Sequence, residues 1–378
     1  MNDPLGAFRL AEKDRQHLAD KFRAGVPCYV QSLPLSAQGW IVLSVHDTFS
    51  VPVVWVTDSP RSLGLLHQDV AALAPDRQSD ISFFPARESS AARGGVPHPD
   101  LIGDRLLTLQ QCISPEGPAM IVTCVQALLQ STPTPHLLAR AQETVRVSQE
   151  IEPEQLIERL AAAGYDFEAE VQEKGQASHR GGIVDLWPPT EPWPVRIEFF
   201  GPVVESIRTF DPVEQRSLDR LNLVTIPPAD ELSENATEAT ASLFDYLPPQ
   251  TLWGWSEPES IHHHAEMVRA LLPADDPTRT HSGFTALRLR VQKQFTGGQL
   301  FAGLDAAQST PTYELDFHAM EGVPSLEGRI PQPDVLDTAR RKLVERLVTD
   351  ARQGHVVHAI ASRKPAAPHP SCISTWPP

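Results

Sequence analysis

An α/β fold, a parallel-sheet domain with a small α+β domain inserted into it, is what this 378-residue sequence predicts. Three observations carry the expectation. Val51 to Thr57 (VPVVWVT) is a continuous apolar run, the character of a strand buried on both faces of a parallel sheet. Strand-like and helix-like segments alternate from there to about residue 132. Between Arg180 and Arg216 the rhythm changes to short strands of alternating polarity, separated by turn residues.

The first region, 1–132, can be read element by element. After the Val51 to Thr57 strand, Asp58-Ser59-Pro60 offers a cap followed by proline at the first helical position, and Leu63, Leu66, Val70 and Leu73 recur at helical spacing. A strand at Ile81 to Pro85, a helix at Asp100 to Ile113 and a strand at Ala119 to Cys124 continue the alternation. Helicase-like and Rossmann-like sheets share this rhythm, and periodicity does not choose between them.

The second region, 133–215, opens with a helix signalled by Glu152-Pro153, carrying Leu156, Ile157 and Leu160 and stopping at Gly164. Gly181 to Trp187, Val195 to Phe200 and Val203 to Phe210 then predict an antiparallel meander whose last turn is Gly201-Pro202. Residues 216–312 read as the return half of the first domain, with a strand at Leu221 to Ile226, a helix at Glu257 to Leu272, and connections at Asp275 to Thr278 and Gln308 to Thr312. Further on, Asp334 to Gln353 reads as a helix with Leu336, Leu343 and Leu347 on one stripe, feeding a strand at His355 to Ala361. The proline-rich run Ser362 to Pro378 has no periodicity, so that strand is left without sheet partners.

Composition narrows the function classes. With 48 acidic against 32 basic side chains, the net charge of −16 opposes a broad grip on nucleic acid, which needs clustered cations to displace phosphate counterions. Cys28, Cys112, Cys124 and Cys372 lie far apart without a C-x-x-C pair, so neither a zinc ribbon nor a disulfide framework is expected, and a reduced cytoplasmic setting fits. The first residues contain no apolar h-region, and the chain has no apolar run of membrane-spanning length, so neither secretion nor membrane insertion is expected. A monomer is anticipated.

Chemistry-bearing motifs are sparse. A phosphate-cradling loop of the type G-x-x-x-x-G-K-[ST] is missing, because no Gly-Lys is followed by Ser or Thr. Adjacent positions His262, His263 and His264 on a helix point about 100° apart and cannot converge on one ion, so they read as solvated histidines. No catalytic residue, cofactor or metal is expected. The informative feature is the strand Val195 to Phe200, whose alternation sends Val195, Ile197 and Phe199 to one face and Arg196, Glu198 and Phe200 to the other. An exposed aromatic beside an arginine is the pairing that dominates protein–protein hot spots. The competing reading has Phe200 packed under a loop, with Arg180 and Arg196 as surface charges paired to Glu198, Glu205 or Asp185 and worth at most about 1 kcal/mol each.

The segments RGGIVDLWPP, PVRIEFFG and VESIRTFDPVEQRS resemble the signature shared by the bacterial transcription-repair coupling factors (Mfd) and the excision-repair protein UvrB, and a weaker collinear likeness runs from about residue 50 to 230. The resemblance implies a helicase-like (RecA-like) first domain and a partner, the damage-recognition ATPase UvrA, contacting Arg180, Arg196 and Phe200 in the 133–215 domain, with Arg208 and Arg216 at the periphery. It places the ancestral phosphate loop at LPLSAQGWIVLS (Leu33 to Ser44), where one glycine and no Lys or Arg remain, a degenerate loop like that of the coupling factors. The UvrB branch is disfavoured by Pro85 to Pro99, which lacks the aromatics of that protein's DNA hairpin. A third small domain is implied from residue 313 to 378, incomplete here; RNA polymerase and DNA are expected as partners only through further domains that this sequence does not contain. The chain thus reads as a truncated, frame-shifted or naturally short form. The function implied is a non-catalytic adaptor of transcription-coupled nucleotide excision repair that recruits UvrA; the alternatives are a UvrB-like damage verifier or helicase-related ATP-dependent protein, and a DNA-binding module with a groove around Arg180, Arg196, Arg208 and Arg216.

Overall fold

The computed structural model describes residues 12–30, 33, 35–87, 99–115, 117–231, 240–271 and 283–303. The expected domain at 313–378, with its helix Asp334 to Gln353, its strand and its proline-rich tail, lies outside the described residues, as do most of Pro85 to Pro99 and the connections at Asp275 to Thr278 and Gln308 to Thr312.

In chain order the strands are β1 (Cys28–Val30), β2 (Val53–Thr57), β3 (Ile81–Phe84), β4 (Met120–Cys124), β5 (Thr132–Pro133), β6 (Glu143–Arg146), β7 (Asp166–Phe167), β8 (Gln176–Arg180), β9 (Ile183–Leu186), β10 (Val195–Phe200), β11 (Val203–Phe210), β12 (Ser217–Leu221), β13 (Leu223–Ile226), β14 (Thr240–Ala241), β15 (Leu252–Ser256) and β16 (Gln299–Ala302). The fold is the expected mixture of α and β. Its parallel sheet has six strands in the order β1-β16-β15-β2-β4-β3, every neighbouring pair parallel. Every residue of β2, β4 and β15 is buried, as a parallel sheet covered on both faces requires.

The helices over this sheet follow from local sequence. Ser59 caps the helix Pro60–Leu73 by accepting from the Ser62 amide, and Leu63, Leu66 and Val70 bury its apolar stripe. The segment expected to hold a degenerate loop is different: from Leu35 onward it is helix, running Leu35–Phe49. Gly39 lies inside that helix, where a Cβ would sit 3.3 Å from both the Val70 amide nitrogen and the Leu73 side chain. This glycine therefore serves close helix–helix packing rather than a phosphate cradle. A second close approach occurs in β15, where a Cβ on Gly254 would fall 2.0 Å from the Trp55 ring. Trp253 and Trp255 flank it, and the Trp55 indole donates to Gln38 at 3.2 Å, satisfying the one polar atom of that buried ring.

The second six-stranded sheet runs β12-β11-β10-β9-β8-β7, antiparallel except for the β7–β8 pair. Its apolar face, including Ala177, Val184, Leu186, Val195, Ile197 and Ile207, packs in one core with Leu156 and Leu160 of the helix Pro153–Ala162. The strand expected at Leu221 to Ile226 in the returning half of the first domain is β13, and it pairs antiparallel with β6 instead. It has no place in the parallel sheet because it closes the neck of the insertion, beside the strand by which the chain entered. β5 and β14 likewise pair across the insertion.

Three contacts tie this unit to the helix Pro99–Ile113 of the first domain, one of them the ion pair of Lys174 with Asp100 at 2.9 Å. Arg105, from the helix Pro99–Ile113, forms a fully buried ion pair with Glu231 at 2.7 Å, just past β13. On the same helix, a Cβ at Gly103 would lie 2.1 Å from the Pro189 carbonyl oxygen, so backbone meets backbone there.

Candidate functional site

The polar face of the second sheet is organised by strand register. Ser178, Asp185, Arg196, Arg208 and Arg220 stand opposite one another across β8, β9, β10, β11 and β12; Arg180, Ile183, Glu198 and Ser206 form the next row. Along β10 the burial alternates as the sequence predicts, with Val195, Ile197 and Phe199 inside and Arg196, Glu198 and Phe200 outward. Phe200 ends the strand opposite Val203, at the Gly201-Pro202 turn, where Gly201 takes φ of 60°. Its ring is 80% exposed, so the reading in which a loop covers it does not hold.

Arg196 is anchored on its own sheet. Nε donates to Asp185 Oδ1 and Nη2 to Asp185 Oδ2, both at 2.7 Å, and Nη2 also donates to Gln215 Oε1 at 2.9 Å. Its guanidinium carbon lies 4.5 Å over the Phe210 ring. The Asp185 bonds push the arginine's pKa up further, so the fork is charged under all ordinary conditions. Of the three acids that the sequence offered as partners, register selects Asp185, directly opposite on β9. Glu198 bonds Arg208 and accepts from Ser206 Oγ at 2.7 Å, while Glu205 projects, exposed, where the β10–β11 register shifts.

The remaining predicted residues divide. Arg180, exposed at the end of β8, makes no ion pair among the described residues, and it lines with Arg196, Ile183, Asp185 and Gln215 one groove of about 320 Å³. Arg208 is held by Glu198, and Arg216 sits off the sheet on a turn, paired to Glu214 at 3.3 Å and mostly exposed. The structure therefore brings Arg180 and Arg196 into one groove with Phe200 on the same face. Sequence reading did not find Phe210 under the guanidinium, or Gln215, whose reach depends on a left-handed φ of 56° that no pattern announced.

The first domain has its own switch point, at the carboxyl ends of β2 and β15, where connections leave toward opposite edges of the sheet, the position at which α/β folds bind ligands. Asp58 occupies it, accepting from Ser59 Oγ at 3.0 Å and Ser260 Oγ at 2.7 Å, with His264 Nδ1 at 3.8 Å. Burial pushes this carboxyl up, but bonds from Ser62, Ser260 and Ser59, with His264 nearby, outweigh it and hold the group below the usual carboxylate range. Of the three consecutive histidines, His264 has its Nδ1 2.9 Å from the Ser260 carbonyl.

An exposed aromatic and two arginines thus share the open face of the inserted sheet, and residues 144–232 match the UvrB interaction domain family. Over about half its length the chain is similar to transcription-repair-coupling factors: 32% identical over 197 residues to that of Bacillus subtilis (strain 168), covering 52% of this chain and 16% of the relative. The factors of Myxococcus xanthus (29% over 233 residues; 57% and 18% covered) and Escherichia coli (strain K12) (26% over 253 residues; 67% and 21% covered) are similar in the same way. The chain thus spans about a fifth or less of the length of these relatives, consistent with an N-terminal region of the coupling factors. Among the described residues no helix is long and apolar enough to cross a membrane.

Proposed function

We propose that this chain is a docking module of transcription-coupled nucleotide excision repair that recruits UvrA through the Arg180, Arg196 and Phe200 face, without catalysis of its own. The observation that carries this is the 80% exposure of Phe200 beside a groove lined by two guanidinium groups. A ring of that size left in water on a rigid hairpin is a hydrophobic anchor awaiting a pocket, and Arg196, already held in place, loses little freedom when it meets a carboxylate. Arg180 supplies an uncommitted charge. Arg196 contributes its Nη1 edge, since Nε and Nη2 are engaged with Asp185 and Gln215.

The first domain acts as scaffold in this reading. An ionised Asp58 at the switch point opposes triphosphate binding by like charge, and the helix at Leu35–Phe49 stands where a phosphate loop would lie. Contacts to RNA polymerase and to DNA belong to other domains of the coupling factors. Phe200→Ser and wild type, each immobilised as the full chain, are compared for capture of purified UvrA. Saturable capture by wild type that drops at least tenfold in affinity with Phe200→Ser, on hot-spot magnitudes, supports the proposal; equal capture by both removes Phe200 from the interface.

A further inference from the structure

The turn between β11 and β12 carries an apolar side chain with no structural use. Val213 is 90% exposed, more than any other large apolar residue among those described. The turn that presents it is nevertheless tightly built. Asp211 Oδ1 accepts from the Val213 amide at 2.8 Å and the Glu214 amide at 3.0 Å; the Asp211 amide donates to Arg216 O at 2.9 Å. The Gln215 amide donates to Asp211 O at 2.8 Å and its Nε2 to Pro212 O at 2.9 Å. Gln215 takes a φ of 56°, a conformation a non-glycine residue adopts only when its surroundings dictate it. Its Oε1 then accepts from Arg196 Nη2 at 2.9 Å, tying the turn to the groove.

We infer that the Asp211–Arg216 turn is a second arm of the UvrA-docking face, with Val213 as its apolar contact. The inference rests on the docking reading and extends it. A lone exposed valine is ordinary on a protein surface; what sets Val213 apart is that it covers no core and sits on a fully hydrogen-bonded turn tied through Gln215 to Arg196 of the groove. Holding the turn rigid before binding removes the ordering cost that a loose loop would incur. Continuity comes through Gln215, which lines the same groove as Arg180 and Arg196. The surface that fits is accordingly acidic at its centre, opposite the two guanidinium groups, and offers one recess to the Phe200 ring and a smaller one to Val213.

Full-chain Val213→Ser, Val213→Ile and Phe200→Ser are titrated against purified UvrA by biolayer interferometry, with melting temperatures measured in parallel. Val213→Ser is expected to bind about five- to tenfold more weakly, mainly through faster dissociation and with unchanged melting, while Val213→Ile stays within about twofold of wild type. Wild-type binding by Val213→Ser alongside weakened Phe200→Ser removes the turn from the interface and leaves the docking reading standing. Failure of the wild-type chain itself to bind UvrA sinks both.

Discussion

Asp185 on β9 grips the guanidinium of Arg196 on β10 through two parallel 2.7 Å bonds, so this arginine of the proposed docking face is already paired on its own sheet. The pair is partly exposed, with 19% and 17% of the two side chains accessible. Arg196 therefore has two roles, aiming a charge outward and bracing the sheet over Phe210.

The two arginines of the groove separate these roles. Arg196→Ala is expected to lower UvrA affinity by about 1 to 3 kcal/mol and also to cost about 1 kcal/mol of stability, because Asp185 loses its partner and Phe210 its cover. Arg180→Ala removes a charge with no ion pair among the described residues, so it should weaken binding while changing stability by less than about 0.5 kcal/mol. Urea unfolding beside a UvrA titration of each variant checks both; equal loss of stability in the two would refute the distinction.

The joint between the two domains is tested at Glu231. Its pair with Arg105 is wholly inaccessible, and Arg105 also donates to Pro85 O at 2.8 Å and stacks its guanidinium 4.1 Å over Phe84. Removing one charge strands the other in the interior. Glu231→Ala should destabilise the chain by about 3 to 5 kcal/mol, whereas replacing both residues with apolar ones of similar volume should be near neutral. Denaturant midpoints for the single and double variants decide the matter.

Asp104, one helical turn from the Asp100–Lys174 ion pair, gives the chain a pH signature. Burial pushes its carboxyl up to about 6, against the pull of Lys174 and with the push of Asp100. An unfolded aspartate titrates near about 3.9, so between about pH 4 and 6 the folded state holds more protons than the unfolded one, and this residue's contribution to stability falls as pH rises through that window. Asp104→Asn should flatten that decline and raise the melting temperature at pH 7 by about 2 °C. A variant whose melting falls with pH as steeply as wild type would contradict the assignment.

What the sequence made legible was local. The apolar run of β2, the stripe of Leu63, Leu66 and Val70, and the alternation that puts Phe200 outward each depend on spacing within a few residues, and the structure has all three. Less visible were strands whose pairing comes from neighbours. β12 is exposed at Ser217, Leu218, Asp219 and Arg220, so no apolar period marks it, and β8 carries only Ala177 inside. β15 went unseen for another reason: glycine inside a strand argues against one unless the Trp55 ring that needs the space is known, and that ring lies far away in sequence. The site shows the same division. Exposure of Phe200 followed from alternation, while the choice of Asp185 as the partner of Arg196 waited on register, and Gln215 on one left-handed residue.

The central claim, that the face bearing Phe200 meets UvrA, is tested most directly by placing a photoactivatable benzoylphenylalanine at position 200, with the exposed Leu65 of the helix Pro60–Leu73 as the comparison site. Irradiation with purified UvrA should give a covalent adduct from position 200 and none from position 65. Adducts of equal yield from both positions, or an adduct from position 65 alone, would show that UvrA docks elsewhere on this chain.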